Sequence, residues 1–267
     1  MEKMATATDG TDDRENDDLS LNIFEEPLDY FKPKEEATYT TFTRKNPRNG
    51  PANLALKLPP KHSLWAHMIW NAAIVMSTYL EALPIKGKCV LELGAGAAVP
   101  SMICAFNAAS KVVIADYPDP PILDAIRHNC EENLPPPVLE RVNVQGYIWG
   151  YDPKQLLAQI PDPLGFDIII LSDLIFNHSQ HAQLIRTCKQ CVKPNDGKVL
   201  VSFSHHRPDK SAMDLHFFTL AEEAGFKVTK FFEVRMKPMF ENDVGPAEVR
   251  AVVHMYSMQR LEPKTDS

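Results

Sequence analysis

The pattern that most constrains the fold of this chain lies between residues 88 and 116. A short apolar run over 88–93 predicts a buried strand, and Gly94-Ala95-Gly96 follows it directly. Residues 100–109, with proline in the first turn, predict a helix, and a second apolar run over 111–115 ends at Asp116. Paired glycines after a strand let the backbone approach a ligand, and an acid at this spacing can accept both hydroxyls of an adenosine ribose. The segment therefore predicts a β–α–β unit that binds a nucleoside.

The glycine turn also indicates which nucleoside is bound. A dinucleotide fingerprint needs a third Gly or Ala three residues after Gly96, and this chain has Val99 there. S-adenosylmethionine has no phosphate and needs no such residue. We expect Glu92, in the sequence Glu-Leu-Gly-Ala-Gly, to lie near its cationic methionine end. These features favour S-adenosylmethionine over NAD.

The rest of the chain alternates short apolar runs with amphipathic segments, which predicts parallel strands joined by helices. The last two runs, 226–234 and 249–257, are separated by a link that contains Pro238, Gly245 and Pro246. Because a crossover helix does not fit this link, the two strands should pair antiparallel. The predicted fold class is α/β, an open, doubly wound, mostly parallel seven-strand sheet that ends in an antiparallel hairpin and is Rossmann-like. The further predicted elements are strands over 141–146, 166–171 and 198–203, and helices from Ser63 through Leu80 and over 122–133, 180–192 and 212–224.

Charge and composition divide the 267 residues into segments. Residues 1–18 contain seven acidic and two basic residues, so this short segment holds five of the seven net negative charges of the chain. We expect a disordered acidic tail over 1–20 and an N-terminal extension over 21–60 that packs on the domain or folds over its site. The catalytic domain is predicted over 61–258 and a second tail over 259–267.

Composition also excludes several function classes. The chain has no basic patch of the kind that binds nucleic acid. It has no apolar run of about 20 residues that could span a membrane, and its first residues are too polar for a signal peptide. The five cysteines suit a reducing compartment, and Cys188 and Cys191, spaced as a CxxC pair, lack a second pair with which to bind zinc. We expect a soluble, monomeric, cytoplasmic protein without a metal.

Three further segments carry a family resemblance, and it extends over residues 60–258. The glycine turn, the segment around Trp65, Trp149-Gly150 and the run from Ser172 to Phe176 resemble the family 16 seven-strand methyltransferases, which modify protein lysines. The sequence is most similar to the fungal branch, formerly called nicotinamide N-methyltransferase-like. That branch methylates the N-terminal glycine and adjacent lysine of translation elongation factor 1-alpha. The resemblance implies the class I methyltransferase fold, S-adenosylmethionine as cofactor and elongation factor 1-alpha as protein substrate.

The resemblance also implies a set of site residues. It gives Asp173 and Phe176 as catalytic residues, although relatives carry a tyrosine at the second position, so no tyrosine hydroxyl is implied here. The alternatives for individual residues are core packing for the two tryptophans and helix capping for Asp173. Whether His178 or His205 contacts the substrate stays open. The implied cofactor-binding residues are Trp65, Gly94, Ala95, Gly96, Asp116, Trp149 and Ser172.

Two other functions remain open from the sequence. One is a methyltransferase that acts on a small pyridine or amine such as nicotinamide. The other is a module that binds S-adenosylmethionine without catalysis.

Overall fold

The computed structural model describes residues 36–61, 63–162 and 164–261. The predicted acidic tail, residues 21–35 of the predicted extension and residues 262–267 lie outside this part of the chain. The strands among the described residues are β1 Thr38–Thr43, β2 Asn53–Leu58, β3 Cys89–Leu93, β4 Lys111–Asp116, β5 Val142–Gly146, β6 Ile168–Ser172, β7 Lys198–Ser204, β8 Phe226–Arg235 and β9 Val252–Arg260. The helices among them are α1 Asn71–Ala82, α2 Val99–Phe106, α3 Pro120–Asn133, α4 Pro136–Leu139, α5 Lys154–Leu157, α6 His181–Cys191, α7 Ser211–Glu223 and α8 Ala247–Arg250.

Seven of the described strands form one sheet in the order β5-β4-β3-β6-β7-β9-β8. The first five in this order are parallel, β9 pairs antiparallel with β7, and β8 pairs antiparallel with β9. The predicted fold class and its closing hairpin are therefore confirmed. The strand order reverses between β3 and β6, and open α/β sheets bind their ligands at such a reversal.

Alternation along the central strands creates a hydrophobic core on each face of the sheet. Val90 of β3 packs in the core with α1, α2 and α3, whereas Leu91 and Leu93 pack in the core with α6 and α7. This follows from the two-residue period of a strand, and it explains why β3 and β6 are buried on both sides.

The largest difference from the sequence prediction is the start of the first helix. The helix predicted from Ser63 begins only at Asn71, and Trp65 lies before it with φ of 61°. A side chain in the left-handed region cannot continue a right-handed helix, so the apolar residues at 64–70 form turns. The other predicted helices and strands are present, with ends that differ by at most three residues. The last strand continues to Arg260, two residues beyond the predicted end of the domain.

The described part of the predicted extension forms a β-hairpin that packs on the domain. Leu54 and Leu56 of β2 are fully buried in the core beside α1, α2 and α3. The side-chain amide of Asn129 exchanges two hydrogen bonds with the backbone of Lys57, at 2.7 and 3.0 Å, as a neighbouring strand would. Asn133 does the same with Ala55. Among described residues 36–61, none lines the two cavities at the carboxyl ends of the strands.

No helix in the described ranges is both long enough and apolar enough to cross a lipid bilayer.

Candidate active site

The carboxyl ends of four neighbouring strands enclose a cavity of about 430 Å³, which we call the first cavity. Its wall takes residues from the ends of β3, β4, β5 and β6, and from the turns that precede α1. Its volume lies in the range of small-molecule sites. The structure brings into this wall all nine residues that the family resemblance implied, namely Trp65, Gly94, Ala95, Gly96, Asp116, Trp149, Ser172, Asp173 and Phe176.

The turn after β3 has a backbone that only small residues adopt readily. Gly94 and Gly96 have φ of 60° and 53°, and Ala98, which caps α2, has φ of 59°. A Cβ atom on Gly94 would lie 2.6 Å from a methyl carbon of Leu174 and 3.3 Å from the Trp149 ring. The glycine thus permits both the turn and the close approach of two cavity-lining side chains.

Asp116 fixes this turn from the end of β4. One carboxylate oxygen accepts a hydrogen bond from the backbone N–H of Gly96 at 2.8 Å, and the other accepts from Tyr117 N–H at 2.7 Å. The acid therefore holds the glycine turn in place and also lines the cavity.

Two tryptophans contribute aromatic surface to the cavity wall. Trp65 is 41% exposed, which is inconsistent with simple core packing, and its positive φ is the kind of backbone strain found at binding sites. Trp149 is half-buried, and the next residue, Gly150, donates its N–H to the Thr187 hydroxyl at 2.7 Å. This bond fixes the loop that carries the indole ring.

Glu92 does not take the position that the sequence reasoning gave it. The alternation of β3 places its side chain on the same face as Val90, away from the cavity, where it accepts hydrogen bonds from the backbone N–H and hydroxyl of Ser101 in α2. Burial raises the pKa of Glu92 to about 8. The residue therefore joins the strand to the helix and does not line the first cavity.

Asp173 is a buried acid that lines the site, only 5% exposed. It follows β6 with φ of 60°, and its backbone N–H donates to the Ser202 carbonyl oxygen at 2.8 Å. Both carboxylate oxygens lie 2.9 Å from Nε2 of His206. Burial opposes protonation of His206, but the Asp173 carboxylate outweighs this effect, so the pKa of His206 is raised. The Asp173 carboxylate is therefore held in place by His206, and it does not cap a helix.

A second cavity of about 280 Å³ adjoins the first. Asp173 and Phe176 line both cavities, as do Trp65 and Trp70. The residues that line only the second are His178, His206, Arg207, Lys210, Asp214, Phe240 and Asp243. The link between β8 and α8 thus contributes Phe240 and Asp243 to this wall.

The two histidines left open by the sequence both bind Asp214. Nε2 of His178 lies 2.6 Å from one carboxylate oxygen, and Nδ1 of His205 lies 2.7 Å from the other. His178 lines the second cavity, whereas His205 is buried behind it. Asn177 lines the first cavity.

The CxxC pair has no metal-binding arrangement. Cys188 and Cys191 are both buried on α6, and burial raises the pKa of each thiol, to about 12 for Cys191. Across the described residues, no three His, Cys, Asp or Glu side chains are grouped to hold a metal ion.

Comparison with known proteins identifies the family. The family described as lysine methyltransferase, methyltransferase family 16, matches residues 53–224. The chain belongs to this family. The relatives described next align over about nine-tenths of this chain, so the similarity extends beyond residues 53–224.

Two curated relatives illustrate the family 16 members that this chain resembles. The protein N-terminal and lysine N-methyltransferase of Schizosaccharomyces pombe is 40% identical over 249 residues, which cover 91% of this chain and 97% of the relative. The protein of the same name from Candida albicans is 39% identical over 252 residues, covering 90% and 96%.

Solved structures place the chain in the methyltransferase fold. The structure of SMU.776 in complex with S-adenosylhomocysteine aligns with a TM-score of 0.59 and 14% identity. The alignment covers 85% of this chain and 57% of that one. The family and the fold together identify S-adenosylmethionine as the cofactor of this methyltransferase.

Sequence reasoning missed the residues that complete the second cavity. No sequence pattern links His206 to Asp173, because their hydrogen bond joins two segments 33 residues apart. Trp70 lies inside the helix that the sequence predicts from Ser63, and Phe240 lies in the link after β8, so neither carried a signal other than its aromatic side chain. Their proximity depends on the placement of that link over the turns before α1.

Proposed function

We propose that this chain transfers methyl groups from S-adenosylmethionine to the N-terminal α-amine of a protein and to the lysine beside it. The substrate we propose is translation elongation factor 1-alpha, methylated at its N-terminal glycine and adjacent lysine by a monomeric enzyme in the cytoplasm. The names of relatives at 40% identity support the reaction class. The observation that carries the proposal is the position of Asp173 in the wall of both cavities.

The wall of the first cavity fits the cofactor. The Asp116 carboxylate would accept the ribose hydroxyls, and the Trp149 ring would stack on the adenine. The backbone at Gly94, Ala95 and Gly96 allows close approach, and Ser172 and Trp65 would contact the methionine part. When bound, S-adenosylmethionine supplies an electrophilic methyl group on a sulfonium.

The protonation state of the amine determines how hard each transfer is. An α-amine with pKa near 8 is neutral in roughly one molecule in ten at pH 7, and a lysine near 10.4 in about one in 2,500. Freeing the amine therefore costs about 1.4 kcal/mol for a chain terminus and about 4.6 kcal/mol for a lysine. The chain terminus is the easier first target, and binding energy from the rest of the peptide can offset the larger cost for lysine.

Asp173 and Phe176 then have distinct roles. The Asp173 carboxylate, held by His206, would orient the incoming amine and stabilise the positive charge that it keeps after methylation. The Phe176 ring, which lines both cavities, would exclude water and face the methylated ammonium.

A radiolabel assay tests the proposal. Purified protein is incubated with tritiated S-adenosylmethionine and unmethylated recombinant elongation factor 1-alpha, and the labelled residues are located by mass spectrometry. We expect label on the first residue and the adjacent lysine, and roughly 100-fold slower labelling with the Asp173→Asn variant. Label on nicotinamide or another small amine in place of protein would contradict the proposal. Binding of S-adenosylmethionine without transfer to any acceptor would contradict it as well.

A further inference from the structure

Three aromatic rings meet edge to face along the second cavity. The ring centroids of Trp65, Trp70 and Phe240 lie 6.0 to 6.3 Å apart, with planes 64° to 72° from one another. We call these three residues the aromatic wall. The Trp70 indole N–H donates to the Trp65 carbonyl oxygen at 3.1 Å, which fixes the turn before α1.

The link that carries Phe240 is tied to the same turn. The Asn71 side-chain amide donates to the Lys237 carbonyl oxygen at 2.7 Å. The Arg250 guanidinium donates to the carbonyl oxygen of Phe240 itself. The third ring is therefore held against the other two by hydrogen bonds from both sides.

The aromatic wall lies beside the catalytic acid. The ring of His206 packs edge-on against Trp70, with centroids 5.0 Å apart, and its Nε2 binds Asp173. A cation bound in the second cavity would therefore contact both the Asp173 carboxylate and the aromatic wall. The other charged or titratable side chains that line this cavity are His178, Arg207, Lys210, Asp214 and Asp243.

We propose that the aromatic wall holds the methylated ammonium formed in each transfer, and that it thereby favours successive methylation of the same amine. This inference rests on the proposed function. In each transfer the substrate ammonium releases one proton to solvent, a nitrogen–carbon bond forms and the carbon–sulfur bond breaks with its electron pair left on sulfur. The amine therefore keeps one positive charge through every round.

The chemistry of the amine changes from one round to the next. An unmethylated ammonium has three N–H donors, and each methyl group removes one of them. Hydrogen bonds to Asp173 are lost in the same order, whereas attraction of the cation to aromatic faces persists and the added methyl groups extend the apolar contact. A site with only the carboxylate would release partly methylated product, and the rings of Trp70 and Phe240 offset that loss.

The test compares two substitutions at one ring. Phe240→Leu keeps apolar bulk and removes the ring, while Phe240→Tyr keeps the ring. Phe231→Leu, at an exposed phenylalanine on β8, is the matched control. The first measurement titrates tetramethylammonium chloride into the S-adenosylhomocysteine complex and follows tryptophan fluorescence. The second follows the ratio of trimethylated to monomethylated peptide at low conversion, by mass spectrometry.

We expect Phe240→Leu to weaken tetramethylammonium binding by roughly threefold to tenfold, the range of one cation–π contact, and to lower the product ratio similarly. The first transfer should slow less than the later ones. Phe240→Tyr, which keeps the ring, should recover most of the binding and product ratio that Phe240→Leu loses, and Phe231→Leu should behave as wild type. If the unaltered protein binds tetramethylammonium no better than ammonium, or if Phe240→Leu slows all transfers equally, the inference is wrong. If tetramethylammonium binds at the wall while no peptide amine is methylated, the proposed function fails and the inferred cation site remains.

Discussion

Replacement of Asp116 by alanine removes the acid that we place on the cofactor ribose. Its two oxygens already accept backbone N–H bonds from Gly96 and Tyr117, at 2.8 and 2.7 Å. A hydrogen bond to a charged group contributes about 1.5–3 kcal/mol, and 1.36 kcal/mol is a factor of ten in affinity. Loss of one such bond to the ribose therefore predicts roughly a tenfold to hundredfold weaker affinity for S-adenosylhomocysteine. Loss of a second hydrogen bond to the ribose, and of the bond that holds the glycine turn, would weaken the affinity further.

Isothermal titration of S-adenosylhomocysteine into the wild-type and variant proteins measures this change. Asp124→Ala is the matched control, because Asp124 lies on α3 in an exposed ion pair with Arg127. Thermal unfolding of each protein separates a loss of affinity from a loss of fold. Unchanged affinity in a folded Asp116→Ala variant would show that the cofactor is not bound where we place it.

Three further predictions concern catalysis and stability. Asp173→Asn should lower turnover by roughly 100-fold. The affinity for S-adenosylhomocysteine, which is uncharged at sulfur, should stay within about threefold of the wild type. Parallel loss of turnover and affinity would refute the assignment of Asp173 to the substrate amine and not to the cofactor. Burial raises the pKa of Glu92 from 4.5 to about 8, so the folded protein binds a proton that the unfolded chain releases. As the pH rises from 5 to 8, the free energy of unfolding of the wild type should therefore fall by roughly a few kcal/mol relative to that of Glu92→Gln. Urea unfolding at each pH measures this difference, and parallel stability–pH curves for the two proteins would contradict it. Arg44→Ala breaks the ion pair with Glu81, whose two side chains are only 1% and 6% exposed. The substitution should lower the free energy of unfolding by about 3–5 kcal/mol, measured by denaturant unfolding. The exposed control Arg127→Ala should cost less than about 1 kcal/mol, and equal costs would contradict the role of burial.

The sheet could be predicted from the sequence because its signals are local. Four of the six residues over 88–93 are apolar, and the uninterrupted run Cys89-Val90-Leu91 is typical of a strand buried on both faces. Pro238, Gly245 and Pro246 similarly made the final antiparallel pairing predictable. The insertion of β9 between β7 and β8 depends on packing between distant segments, and no local pattern encodes it.

The start of the first helix shows where periodicity misleads. Trp65 and Ile69 have the apolar spacing of a helix that continues to Ala73, but the side chains of both residues line the first cavity. Side chains that line a binding cavity have the same apolar character as those that pack a core, so spacing alone does not separate the two. The positive φ of Trp65 appears only in the structure.

The candidate site was predictable where a functional residue stands at the carboxyl end of a strand, as Asp116 and Asp173 do. It was not predictable where two loops meet. His206 reaches Asp173 from the end of β7, and Phe240 reaches Trp70 from the link after β8. The misplacement of Glu92 has a simpler cause, because alternation along β3 determines which face of the sheet each side chain occupies.

A crystal structure of the protein with S-adenosylhomocysteine and a peptide beginning Gly-Lys is the most direct measurement of these assignments. We predict that the adenosyl group occupies the first cavity with its ribose hydroxyls on Asp116, and that the first amine of the peptide enters through the second cavity and lies beside Asp173. S-adenosylhomocysteine bound elsewhere, or a peptide amine that approaches from a side remote from Asp173, would contradict the account.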